Sequence, residues 1–236
     1  MGSVRVGISS CLLGERVRYD GGHKRDAFLT EELEPQVEFV PLCPEVEIGL
    51  GVPRPPLHLE RRGGDVRMLV TDSGEDITER MRSWAEAAAE RIAAAELDGY
   101  VLKASSPSCG MERVKLYDEH GSPSRAGRGL FATALIERLP LLPVEEEGRL
   151  RDPRLRELFL TRLFAHARVR SFLASDWGPR ELVEFNNAEK PLVRAHDPAL
   201  ARELSRLVAS ASEREREELA ARYAELHARA LYSRRR

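Results

Sequence analysis

The first half of the chain alternates short apolar runs with amphipathic segments. The runs are rich in β-branched and aromatic residues and are followed by turn-forming residues, which is typical of strands. They cover residues 4–8, 37–40, 66–70 and 100–103. Apolar residues at helical spacing predict one helix over residues 78–97 and a second over residues 129–138. Strands and helices in this order predict an α/β domain with a largely parallel sheet.

The second half shows helical patterning and contains no convincing strand. Asp152-Pro153 and Asp197-Pro198 each place a capping carboxylate before a proline at the first helical position. Ser212 followed by Glu215 matches a capping box. The predicted helices cover about residues 153–174, 179–189, 198–209 and 213–232. We therefore expect an all-α domain over residues 145–236, joined through residues 140–143 to an α/β domain over residues 1–144.

Composition and charge set limits on the class of protein. The chain has 236 residues, 42% of them hydrophobic, which is enough for a globular core. It has no long apolar run, and its first ten residues lack the pattern of a signal peptide, so we expect a soluble cytoplasmic protein. Residues 1–144 carry 18 basic and 23 acidic residues, whereas the remainder carries 19 basic and 16 acidic residues. The net charge of -2 therefore joins an acidic half to a basic half, and it does not exclude an anionic partner.

The three cysteines, Cys11, Cys43 and Cys109, each follow a predicted strand. Because the carboxyl ends of parallel strands gather at one edge of a sheet, we expect these cysteines to meet there. Three thiolates would leave one position of a tetrahedral zinc ion, or one iron of a 4Fe-4S cluster, without a protein ligand. A small core residue is the alternative use of a free cysteine, but the neighbouring prolines and glycine are typical of loops.

Polar residues accompany the cysteines in these loops. Glu45 follows Cys43 by two residues, and the segment before Cys109 carries Ser105, Ser106 and Ser108. Two further turns each carry an arginine, at positions 18 and 54. Any one of these residues fits an ordinary turn or a surface ion pair, but together they indicate an active site.

Three pairs of segments resemble the three signatures of the thiouracil desulfurases. They are Ser10–Gly14 with Arg18–Gly21, Cys43–Glu45 with Pro53–Pro55, and Leu102–Lys103 with Ser106–Gly110. The resemblance spans about residues 4–140 and implies a 4Fe-4S cluster bound by Cys11, Cys43 and Cys109. The fourth iron would take the sulfur of a thiocarbonyl group. The family's catalytic carboxylate would be Glu45 and its catalytic serine Ser106 or Ser108, of which we favour Ser106.

The second half resembles a helical domain that is fused to desulfurases in some bacteria. The matching residues are Pro143–Leu150, Asp152-Pro153, Phe159, Arg162, Phe164 and Arg168. Such fusions are associated with removing sulfur from 4-thiouridine in tRNA, with the helical part binding RNA. This sequence departs from the pattern at Phe185–Lys190, where a Phe-His pair and a second histidine are expected, and it ends earlier, at Arg236.

The resemblance leads to an expected substrate and leaves two alternatives. We expect desulfuration of thiolated tRNA, with RNA contacts from Arg162, Arg168, Arg170, Arg194, Arg202 and Arg206. The basic tail at residues 233–236 is expected to be a solvated end. One alternative is a desulfurase of free 2- or 4-thiouracil with a structural helical domain. The other is a zinc-binding, non-catalytic RNA-binding protein in which His23 or His58 is the fourth zinc ligand.

Overall fold

The structure is a computed structural model that describes residues 3–213 and 215–232. The predicted basic tail at residues 233–236 lies outside these residues. The chain divides into two compact units, one covering Ser3–Phe159 and the other beginning at Leu160. A functional boundary near residue 144 stays a prediction. No helix in the described ranges is both long and apolar enough to cross a membrane.

The first unit contains eight strands and three α-helices within its described residues. The strands are β1 (Arg5–Ser9), β2 (Glu38–Leu42), β3 (Leu57–Arg62), β4 (Asp65–Val70), β5 (Gly99–Leu102), β6 (Val114–Tyr117), β7 (Pro123–Gly127) and β8 (Val144–Glu146). The helices are α1 (Pro44–Glu47), α2 (Thr78–Ala94) and α3 (Leu130–Arg138). The predicted α/β class is confirmed, with α2 ending three residues earlier than its pattern indicated.

The main sheet has the order β2-β1-β5-β8, and all its strand pairs are parallel. Every residue of β5 is buried, as expected for a strand covered on both faces. Gly7 in β1 admits the ring of Tyr100, because a Cβ at this position would lie 2.3 Å from the ring. The Tyr100 ring packs against Phe131 of α3, with 5.6 Å between centroids. This packing fixes the helical layer on the sheet.

A second sheet differs from the prediction. Its order is β4-β3-β6-β7, and β4 pairs antiparallel with β3 instead of joining the parallel sheet. The strands β3, β6 and β7 were not predicted. β3 and β6 each show only two alternating apolar positions, Leu57 and Leu59 in one and Val114 and Leu116 in the other, and β7 shows no such alternation. β7 begins with Pro123 and is exposed over four of its five residues, as suits an edge strand. Residues 140–143, expected to link two domains, lead directly into β8 of the main sheet.

The remaining helices are α4 (Pro153–Leu173), α5 (Pro179–His196), α6 (Pro198–Ala209) and α7 (Arg216–Tyr232). Asp197 caps α6 as predicted, since its Oδ1 accepts the backbone N–H groups of Ala199 and Leu200 at 2.9 and 3.0 Å. α5 is longer than predicted and runs through Pro191, because Val193 continues its buried face. α7 begins later than predicted, because Ala211–Glu213 form a 3-10 turn and not its first turn.

Candidate active site

A cavity of about 420 Å³ lies at the carboxyl edge of the main sheet. The strands β1, β2 and β5 end at Ser9, Leu42 and Leu102, and the residues that follow them form much of its wall. All three cysteines line this cavity, together with Glu45 and Ser106. The predicted convergence of the three loops on one site is therefore present in the fold.

The three cysteines are free thiols with restricted access to solvent. Cys11 and Cys109 are buried, and Cys43 is half-buried. Burial raises the pKa of Cys11 to about 11, an effect that the nearby Lys103 ammonium opposes. Burial also raises the pKa of Cys43, and it raises the pKa of Cys109 further. Without a bound metal, all three sulfur atoms are therefore protonated at neutral pH.

The structure gives no support for a simple single-ion site. In the described ranges 3–213 and 215–232, no group of three or more His, Cys, Asp and Glu side chains could hold one metal ion. Neither histidine considered as a zinc ligand lines the cavity. The Nδ1 atom of His23 accepts the backbone N–H of Arg25, and the ring of His58 packs edge-on against Tyr117.

Glu45 is fixed by partners from two other segments. Its Oε1 accepts a hydrogen bond from Ser108 Oγ at 2.9 Å, and its Oε2 accepts from Arg54 Nε and Nη2 at 3.0 and 2.6 Å. Arg54 is buried and also donates to the carbonyl oxygens of Val17 and Gly51. The guanidinium therefore balances the carboxylate charge and joins the segments that carry the first two signatures. The third signature is joined to them through the bond from Ser108 to Glu45.

The two candidate serines have different surroundings. Ser108 is fully buried, and its hydroxyl is committed to Glu45. Ser106 lines the cavity, and its Oγ accepts the backbone N–H groups of Ser108 and Cys109 at 3.2 and 3.1 Å. Its hydroxyl hydrogen is donated to no residue that the structure describes. Ser106 therefore has a proton to offer a molecule in the cavity, and Ser108 positions Glu45.

The loop that carries Cys109 is anchored to the start of α3. The carbonyl oxygen of Ser108 accepts the N–H groups of Phe131 and Ala132 at 3.0 and 3.2 Å, so it satisfies donors in the first turn of the helix. A Cβ at Gly129 would lie 2.3 Å from this same oxygen. The anchor therefore requires glycine there, a constraint that the sequence pattern alone did not reveal.

The cavity wall also contains a cation that sequence reasoning left without a role. Lys103 Nζ contacts the Glu147 carboxylate and donates to the Ala104 carbonyl oxygen at 2.8 Å. The other Glu147 oxygen accepts the Ala104 N–H at 2.7 Å, so the pair is held in place. Glu147 lies in the part of the chain that the sequence assigned to the helical domain, and nothing in its local pattern indicated a partner 44 residues away.

The predicted RNA-contacting arginines fall into two groups. Arg162, Arg168 and Arg170 are half-buried, whereas Arg194, Arg202 and Arg206 are exposed. Arg168 Nε and Nη2 donate to the two carboxylate oxygens of Glu189 at 2.7 and 2.9 Å. Arg162 Nε donates to the Leu231 carbonyl oxygen at 3.1 Å. Arg162 and Arg168 therefore have contacts within their own unit, and the exposed group is accessible to a partner.

The segment that departs from the expected pattern contributes to the helical core. Phe185 stacks on Phe172 with 4.2 Å between centroids. Glu189 is buried and is bonded to both Arg168 and His227. Burial alone would raise the pKa of Glu189, but hydrogen bonds from His227 and Arg168 outweigh it and bring the pKa to about 2. Residues 185–190 thus supply an aromatic stack and a buried ionic cluster.

Comparison with known proteins assigns the first unit to a family. A family model described as 2-thiouracil desulfurase matches residues 6–147, which is more than half of the chain. The uncharacterized protein YbbK of Bacillus subtilis (strain 168) is 35% identical over 111 residues, covering 44% of this chain and 71% of the relative. The solved structure of the [4Fe-4S]-dependent thiouracil desulfidase TudS is 34% identical and gives a TM-score of 0.49, covering 64% of this chain and 95% of that chain. The family match extends over all three cysteines and Glu45, and the chain belongs to the 2-thiouracil desulfurase family of enzymes.

Proposed function

We propose that this enzyme hydrolyses the C–S bond of a thiolated uracil, with a 4Fe-4S cluster bound by Cys11, Cys43 and Cys109. The observation that carries the proposal is the presence of all three cysteines and Glu45 on the wall of one cavity. Thiouracil and water would give uracil and hydrogen sulfide, so the overall reaction needs neither an oxidant nor a reductant.

The sulfur donors suit such a cluster. Thiolates are the usual ligands of iron–sulfur clusters, and each binds a different iron, so the cysteines need to share a wall and not a single point. The chain has three cysteines in all, which would leave one iron without a cysteine ligand. When bound, the cluster would supply a sulfur-seeking Lewis acid at that iron.

The roles of the chain's own side chains follow from their contacts. Glu45 would take a proton from the attacking water as general base. A carboxylate can accept about four hydrogen bonds, so Glu45 can receive that proton while keeping its bonds to Arg54 and Ser108. Ser106 would donate its free hydroxyl proton to the ring or to the departing sulfur.

Metal analysis with matched variants tests this assignment. Anaerobically reconstituted wild-type protein should contain about four irons and four sulfides per chain and release sulfide from thiouracil. Cys11→Ala should lose both the cluster absorbance and the activity, whereas the control Glu45→Gln should keep the absorbance and lose the activity. Bound zinc without iron would favour the zinc-binding alternative, and full activity without a cluster would refute the proposal.

We further propose that the substrate is 4-thiouridine in tRNA, which would place the enzyme in the cytoplasm. The support is the basic second half with three exposed arginines, Arg194, Arg202 and Arg206. If each neutralises one phosphate, removing all three should flatten the plot of log affinity against log salt by about 2 to 3.

A charge-matched control separates RNA contact from loss of charge. Substituting Arg194, Arg202 and Arg206 with glutamine should weaken desulfuration of thiolated tRNA and leave free 2-thiouracil unaffected. The control substitutes three arginines that already pair with glutamates, namely Arg180, Arg222 and Arg229. Equal effects of the two triple variants on tRNA would favour the free base as substrate, with the helical unit as a structural element.

A further inference from the structure

Tyr19 stands out among the residues that line the cavity. It is 42% exposed, and no other Phe, Tyr or Trp side chain in the described ranges is classed as exposed. A side chain that both lines the cavity and faces solvent lies where the cavity opens. The guanidinium carbon of Arg18 is 5.5 Å from the ring centroid, so a ligand would approach the ring from its other face or its edge.

The turn that carries Tyr19 is held on both sides. The Gly21 N–H donates to the Arg18 carbonyl oxygen at 2.9 Å, and the Gly22 N–H donates to Asp20 Oδ1 at 3.0 Å. The Tyr19 carbonyl oxygen accepts the backbone N–H of Arg54, the residue that holds Glu45, at 2.9 Å. The backbone of Tyr19 is thus connected through Arg54 to the proposed general base, Glu45.

We propose that the ring of Tyr19 is the surface on which the pyrimidine ring of the substrate stacks. This inference rests on the proposed function and adds a binding residue to it. Pyrimidines are flat and have π faces, and stacking between a base and an aromatic side chain contributes about 1–3 kcal/mol when measured by alanine substitution. The exposed ring would lose contact with water on binding, whereas the backbone that carries it is already held by the turn.

Substitutions at Tyr19 test the contact on the cluster-loaded enzyme. Tyr19→Ala should raise KM by about 5- to 150-fold, the equivalent of that stacking energy, for whichever of 2-thiouracil or 4-thiouridine the wild type converts. The inhibition constant of the product uracil should rise by a similar factor, while kcat changes little. Tyr19→Phe keeps the ring and should stay within about twofold of wild type. Val183→Ala, which trims an exposed apolar side chain that does not line the cavity, is the control.

Tyr19→Leu separates stacking from simple apolar contact. It keeps apolar bulk without a ring, so its KM should remain well above that of Tyr19→Phe. A KM for Tyr19→Ala within twofold of wild type, in a protein that unfolds at the wild-type temperature, would overturn the inference. So would a wild-type KM for Tyr19→Leu, and this variant decides the question if Tyr19→Ala fails to fold. Absence of turnover in the loaded wild type would instead contradict the proposed function.

Discussion

The buried cluster of Glu189, Arg168 and His227 should make the helical unit sensitive to acid. The pKa of Glu189 is about 2 in the folded protein, against an ordinary value of 4.5. The folded state therefore prefers the ionised carboxylate. The contribution of the Glu189 carboxylate to the stability of the fold is complete at pH values above 4.5 and is lost as the pH falls from 4.5 towards 2.

The size of this contribution follows from the shift in pKa. At about 1.36 kcal/mol per pKa unit, the shift corresponds to about 3 kcal/mol at pH 7. At pH 3 the folded carboxylate is still ionised while the unfolded one is protonated, and about 1.4 kcal/mol remains. Glu189→Gln removes the charge and keeps the shape. The difference in unfolding free energy between wild type and this variant should therefore fall from about 3 kcal/mol at pH 7 to about 1.4 kcal/mol at pH 3.

Urea unfolding followed by tryptophan fluorescence measures this difference. The first unit contains Trp84 and the second contains Trp177, so both proteins carry Trp84→Phe and the signal reports the helical unit. Glu184→Gln, an exposed charge on the same helix, is the control and should cost less than about 1 kcal/mol. A destabilisation by Glu189→Gln that is the same at pH 7 and pH 3 would refute the electrostatic explanation.

Three further predictions concern the first unit. Ser108→Ala removes a hydrogen bond to a carboxylate and should lower the free energy of unfolding by about 1.5–3 kcal/mol. Ser106→Ala removes the acceptor of two backbone N–H groups and should cost about 1–3 kcal/mol as well, and it should reduce sulfide release in protein that remains folded; wild-type sulfide release by the folded Ser106→Ala variant would refute its role as proton donor. Glu147→Gln leaves the Lys103 ammonium without its counter-charge, and urea unfolding should show a decrease of about 3 kcal/mol in the free energy of unfolding. A decrease below about 1 kcal/mol would contradict a buried ion pair. Gly129→Ala should lower the free energy of unfolding by about 1–3 kcal/mol, because the new Cβ would be forced against the Ser108 carbonyl oxygen. A thermal midpoint equal to that of wild type would show that the loop shifts to make room for the Cβ.

The convergence of the cysteines was predictable because it depends only on recognising the strands and on their parallel arrangement. Strands were recognisable from β-branched runs, and parallel topology brings their carboxyl ends together. The bonds around Glu45 were not predictable in this way. They depend on how Arg54 and Ser108, in two separate loops, are turned towards one carboxylate, and sequence spacing carries no information about that. The strands β3, β6 and β7 were missed because β3 and β6 carry only two alternating apolar positions each, which is too short a pattern to mark a strand, and β7 carries none.

The arginines show why residue counts overestimate an RNA-binding surface. The sequence treats Arg168 and Arg194 alike, but the buried carboxylate of Glu189 holds two nitrogens of Arg168, whereas Arg194 is exposed. Substituting Arg168 would leave Glu189 charged and short of a partner inside the helical core, so a loss of tRNA desulfuration in that variant would report damage to the fold. Only substitutions at exposed positions such as Arg194 can separate binding from folding, and the RNA proposal depends on those positions.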